Sequence, residues 1–134
     1  MNTILLAVLP LMGVALGALL QSRRELRSQR NTHKIKAYSD YLQACAQLAN
    51  KEVAGKHSEA RVLLADAKAR ITIYGGTKVI KSIADFHRNG AHTYSRQDMK
   101  RFLSIVVSMR EDSNNKANLE DISQLLFERD IPSE

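Results

Sequence analysis

Tryptophan is absent from this chain of 134 residues, the aromatic side chains are four Tyr and three Phe, and there is a single cysteine. Each shortage excludes something. A lone thiol, Cys45, cannot close an intramolecular disulfide, which fits a reducing compartment. So few aromatics imply a thin core of medium-sized aliphatic side chains. Neither of the two prolines and none of the six glycines falls between Gly17 and Gly55. Sustained period-two alternation is missing, so strands are not expected, and there is no internal repeat or low-complexity segment.

The residue types that carry chemistry are present but scattered. His33, His57, His87 and His92 form no His-x-x-x-His or Glu-x-x-His pair, and no Cys-x-x-Cys exists, so spacing points to no metal site. Gly75-Gly76-Thr77-Lys78 looks like part of a phosphate-binding loop. It lacks both the Gly-x-x-x-x-Gly-Lys frame and a preceding strand, and reads as a helix connection with Thr77 as cap. Cys45 lies among apolar and alanine neighbours with no base nearby in sequence, the setting of a core thiol. Arg110 interrupts an apolar stripe. It is expected at a snorkelling edge, and is the one charged residue to examine for a buried pair with Asp112 or Asp85. Neither catalysis nor a cofactor is expected.

What the chain does have is an uncharged run followed by a basic flank. Ile4 to Leu20 contains no charged residue and spans about 25 Å as a helix. With Thr3 and Gln21 at its ends, residues 1–22 read as a transmembrane helix. A cleaved signal peptide is the main rival, because Ala15-Leu16-Gly17 resembles a cleavage site; a buried soluble helix is the other. Against the signal peptide, no basic side chain precedes the run, whereas Arg23-Arg24 follows it directly. Basic flanks stay in the cytoplasm, so the N-terminus is expected outside and the remainder inside. Within the run, Gly13 and Gly17 form a Gly-x-x-x-Gly pair suited to close helix packing, and Pro10 removes a backbone donor.

The formal charge of +6 is concentrated just after the run. Arg23, Arg24, Arg27, Arg30, Lys34 and Lys36 stand against Glu25 alone; the chain from Ala37 onward holds 14 basic and 13 acidic residues. Residues 23–36 therefore read as a basic juxtamembrane helix that both sets topology and meets lipid headgroups. No aromatic is interleaved there to stack on bases, so nucleic acid is not an expected partner. The expected partners are the lipid bilayer and a second copy or another protein.

Residues 37–131 are expected to form a cytoplasmic helical bundle, leaving 132–134 as a tail. The first helix should run on without a break, with Ile35, Tyr38, Leu42, Cys45 and Ala49 at three-four spacing as a face for self-association. A second helix is expected from a Ser58 cap to Tyr74, facing inward with Leu63, Leu64, Ala67, Ile71 and Tyr74. A third should place Val79, Ile80, Ile83 and Phe86 on one side and end at Asn89-Gly90. Ser95 and Asp98 suggest a capping box for a fourth helix along Met99, Phe102, Leu103, Val106 and Met109. A fifth is expected from Asn118 to Phe127. The fold class is all-α: an N-terminal transmembrane helix continuing into a four- or five-helix bundle.

The order of features adds a resemblance. A short span and Arg-rich flank are followed by Lys34, Ala37, Tyr38, Tyr41 and Leu42, then Ile73 to Ile80, then Met109-Arg110-Glu111-Asp112. This resembles a broad group of small bacterial proteins with one N-terminal span and a cytoplasmic helical bundle. The resemblance implies a single-pass protein of the bacterial inner membrane and brings no activity with it. The functional expectation is a non-enzymatic, membrane-anchored protein of interaction or oligomerisation. The alternative is an oligomeric pore-forming or membrane-disrupting effector, as in phage defence or lysis.

Overall fold

The computed structural model describes residues 2–50, 55, 57–115 and 118–128, with the side chains of 2–9 outside that description. The described residues form five α-helices and no strand: α1 Asn2–Ala49, α2 His57–Tyr74, α3 Thr77–Arg88, α4 Arg96–Asp112 and α5 Leu119–Phe127. The expected tail at 132–134 lies outside them.

The length of α1 follows from its composition. From Gly17 to Ala49 it contains no helix breaker, and it passes through Pro10 without interruption. Only its last third belongs to the bundle. Every described residue from Pro10 to His33 is exposed, and burial begins at Lys34. Among the described residues no helix is long and apolar enough to cross a membrane. The expected span at 1–22 is described at side-chain level only from Pro10 onward, and Pro10–Leu20 covers about 16 Å as a helix, roughly half a hydrocarbon core.

The core forms where four helices meet. Ala37, Tyr38 and Tyr41 of α1 pack with Ala67 and Ile71 of α2, Val79, Ile83 and Phe86 of α3, and Ile105 and Met109 of α4. A second cluster joins Leu103 and Val106 of α4 to Ile122 of α5, with Leu42, Phe102 and Phe127 around it. Phe102 bridges the two, its ring 5.5 Å from Phe86 and 6.1 Å from Phe127. Helices α1 and α2 form one antiparallel pair and α3 and α4 another; Arg70 of α2 ties the first by bonding Asp40 on α1 and Asp66 on its own helix.

The helix ends match the sequence expectation in part. The Ser95–Asp98 capping box is complete: Asp98 N donates to Ser95 Oγ at 3.1 Å and Ser95 N donates to Asp98 Oδ2 at 3.3 Å. Asn118 caps α5 through Glu120 N at 3.1 Å. Ser58 is not the cap of α2, which begins a residue earlier at His57. Thr77 is not the cap of α3 either. Gly76 holds that position without a side chain, and the reason is steric: a Cβ there would lie 2.5 Å from Asp112 Oδ1. Gly76 has an ordinary extended backbone, φ −71 and ψ 155, so the requirement for glycine is space rather than conformation.

Gly76→Ala should accordingly lower the unfolding free energy by about 1–3 kcal/mol through displacement of Asp112. Gly13→Ala, where a Cβ meets nothing within 4 Å, should be neutral or slightly stabilising. Urea unfolding of both variants followed by circular dichroism checks the contrast; equal midpoints would remove the steric argument.

Candidate functional site

The densest polar cluster lies where α1 leaves the bundle. Lys34 and Tyr38 stand one turn apart on α1 and both reach the last residue of α4, Asp112. Tyr38 Oη donates to Asp112 Oδ2 at 2.6 Å, and Lys34 Nζ lies 3.1 Å from the same oxygen while donating to the Asp112 carbonyl at 3.0 Å. The α2–α3 turn joins in, since Gly76 N donates to Tyr38 Oη at 3.1 Å. Two helices and the α2–α3 turn therefore converge on one carboxylate. On the neighbouring edge of α1, the His33 ring stacks on Tyr74 of α2 at 5.4 Å.

Burial pushes the Asp112 carboxyl up, but the hydrogen bonds from Tyr38 and Lys34 and the Lys34 charge together outweigh it and hold the group below the usual carboxylate range. Burial and the bond to Asp112 push the Tyr38 phenol well above its ordinary value. Beside the cluster is a cleft of about 280 Å³ lined by Gly76, Thr77, Lys78, Val79, Ser108, Glu111 and Asp112. It is small for a ligand pocket, and Asp112 already fills the place at the start of α3 where an anion would sit.

Two further clusters lie deeper in the bundle and toward its far end. Tyr41, fully buried, has its hydroxyl 3.0 Å from His87 Nε2 on α3 and shares a hydrogen bond with Cys45. Burial lowers the His87 pKa, with the Lys68 charge adding to it. Burial also pushes the Cys45 thiol up to about 11, against the opposing pull of Tyr41 and Lys68. In the α3–α4 loop, His92 Nδ1 lies 2.9 Å from Asp98 Oδ2, too poorly aligned for a hydrogen bond, so the contact is one of proximity. Arg101 binds Asp98 Oδ1 at 2.9 Å and approaches Asp85 at 3.7 Å. The hydrogen bonds within the Ser95 cap, His92 and Arg101 hold the Asp98 carboxyl low.

The Asp112 and Tyr41 clusters each join different helices. A thiol titrating near 11 is almost entirely protonated at neutral pH and is a poor nucleophile. Among the described residues no group of three His, Cys, Asp or Glu is arranged to hold a metal ion. No family model, curated protein or solved structure matches this chain. Its function has to be read from its own geometry.

The residues singled out by sequence divide into three sets. Pro10, Gly13, Gly17, Arg23, Arg24, Arg27 and Arg30 lie along the exposed part of α1, and Lys36 is exposed as well. Lys34, grouped with the headgroup-facing cations, is turned into the bundle and bound to Asp112. Of the face assigned to self-association, Tyr38 is buried and Leu42 and Cys45 are half-buried against the chain's own core; only Ile35 and Ala49 are exposed. Arg110 is exposed, and the partners considered for it go elsewhere, Asp112 to Lys34 and Tyr38 and Asp85 to Arg101. Sequence reasoning missed the Asp112 cluster. Its one visible trace was the Lys34–Tyr38 spacing of one turn.

Two outcomes follow. A depressed carboxyl contributes stability above the ordinary carboxylate pKa of about 3.9, and loses it as pH falls through the lower folded value. Asp112→Asn should therefore cost about 1–3 kcal/mol at pH 7, with the gap to the unaltered protein shrinking toward pH 2 in urea titrations; a gap independent of pH would exclude the carboxylate as its origin. Alkylation of Cys45 by iodoacetamide at pH 8 should be at least tenfold slower in the folded protein than in urea. Equal rates would show that its burial and raised pKa do not protect it.

Proposed function

We propose that this chain is a membrane-anchored interaction protein without catalysis of its own, in which α1 carries a compact helical bundle away from the lipid surface. The observation that carries the reading is the exposure of Leu11, Met12, Val14, Leu16, Leu19 and Leu20, each between 58 % and 73 %, on a helix that none of the bundle covers. So continuous an apolar surface needs an apolar environment. The uncharged sequence extends back to Ile4, and the basic flank begins at Arg23, the composition of a span with its cytoplasmic border.

Helix geometry then divides the basic residues. At 1.5 Å per residue, Arg23, Arg24 and Arg27 lie within about 11 Å of Leu20, close enough to reach a headgroup layer of about 5–8 Å per leaflet. Lys34 is about 21 Å beyond Leu20 and belongs to the bundle junction instead. The bundle is held off the lipid on a basic stalk, with the N-terminus outside and the bundle in the cytoplasm.

The test is fractionation of cells expressing the full chain. The protein should stay with membranes through alkaline carbonate, and Leu16→Arg combined with Leu19→Arg should release it. Extraction of the unaltered protein by carbonate would defeat the anchor. Membrane potential measured in the same cells separates an anchor from a pore: depolarisation on induction, abolished by Gly13→Leu, would favour the pore-forming alternative.

A further inference from the structure

Helix α2 is apolar on two opposite faces. Ala60, Leu64, Ala67 and Ile71 turn to the core. On the far side Val62, Ala65, Ala69 and Ile73 succeed one another at three-four spacing and are all exposed, Val62 by 70 % and Ile73 by 67 %. A surface helix ordinarily turns polar residues outward, as α3 does with Lys78, Lys81 and Asp85. In α2 the charged residues stand at the margins of this outer stripe instead.

We propose that the outer face of α2 is the docking surface for a second copy of this chain, the two α2 helices lying side by side and parallel about a twofold axis. The small Ala65 and Ala69 let the backbones approach closely between Val62 and Ile73. The margins are complementary in charge. Arg61, on one side of the stripe, makes no ion pair among the described residues, and Asp66, on the other, bonds Arg70 through Oδ2 but keeps a side chain 59 % exposed. In a parallel helix pair, flanking residues five positions apart meet across the seam, so Arg61 of each copy faces Asp66 of the other, twice by symmetry. The parallel sense rests on the anchor reading above, because copies held by α1 in one membrane point the same way. The face on α1 expected for self-association is mostly spent within the chain, and among the described residues of the bundle α5 exposes the adjacent pair Leu125 and Leu126, whereas α2 exposes an apolar stripe from Val62 to Ile73.

The experiment uses the full chain in native membranes, with Cys45→Ala as background and single cysteines introduced as Val62→Cys or Ile73→Cys. Mild oxidation should link each variant to itself as a dimer. Arg61→Glu should reduce the yield at position 62 by roughly two- to fivefold, and Arg61→Glu with Asp66→Arg should restore it. Both cysteines replace exposed residues, and circular dichroism verifies the helical fold. Absence of self-linkage at both positions overturns the proposal, as does linkage only between the two variants when mixed, the mark of an antiparallel pair. Carbonate extraction of the same samples keeps the two readings apart: anchored protein without linkage defeats the dimer alone, and extracted protein linked at like positions defeats the anchor alone.

Discussion

The carboxylate of Asp112 is the point on which the arrangement of the molecule depends. It terminates α4, receives the Tyr38 hydroxyl and the Lys34 ammonium from α1, and comes so near Gly76 that α3 must begin without a side chain at its cap. The two helix pairs, α1 with α2 and α3 with α4, share a core, but aliphatic packing is tolerant of sliding. Directional, charge-assisted bonds are not. The cluster therefore fixes the register of one pair on the other at the level where α1 leaves the bundle. A carboxylate with three polar neighbours can stay ionised while half-buried, which is what its lowered pKa expresses.

That placement divides α1 into an exposed part and a part packed in the bundle. From Lys34 onward its faces are claimed by the bundle; before His33 every described side chain is exposed. One helix thus carries two apolar surfaces, and only one is satisfied within the chain. The basic residues between them are similarly divided. Arg23, Arg24, Arg27 and Arg30 are exposed along α1 and make no ion pair among the described residues, whereas Lys34 is withdrawn from that set by Asp112. Lys34 acts as a tie between helices, and the exposed charge before it on α1 is carried by arginine, with Glu25 as the one acid.

Much of this was legible in the sequence because it is local. Helix positions follow from three-four apolar spacing, and the Ser95–Asp98 box is read within three residues. What escaped is non-local. Gly76 looks like half of a Gly-Gly stop, and only the approach of Asp112, far along the chain, explains why Thr77 does not cap α3. Ile80 matched the inward pattern and is 39 % exposed, while Ile105 is fully buried, because which flank of a helix is covered depends on its neighbours and not on its own periodicity. The face running from Tyr38 to Cys45 was wide enough for more than one neighbour, and those neighbours are α2, α3 and α4 of the same chain. Amphipathicity says that a face will be covered and is silent about which chain covers it.

The same distinction bears on how the described titratable groups are engaged. Asp40 is spent on Arg70, Lys34 and Tyr38 on Asp112, Tyr41 on His87, and Asp98 on the α4 cap and Arg101. The ties of Asp40, Lys34, Tyr38 and Tyr41 each join two different helices, whereas those of Asp98 stay within α4 and its cap. Burial makes such groups resist the reactive form: the phenols and the thiol are pushed up and the imidazole of His87 is pushed down. A group tuned for acid–base chemistry at neutral pH is moved toward pH 7, and here the phenols and the thiol move up and His87 moves down. A chain with so few aromatics in its core gains specificity from polar ties between helices. Its uncovered apolar side chains, by contrast, gather along the first part of α1 and on the outer side of α2, with Leu125 and Leu126 exposed on α5.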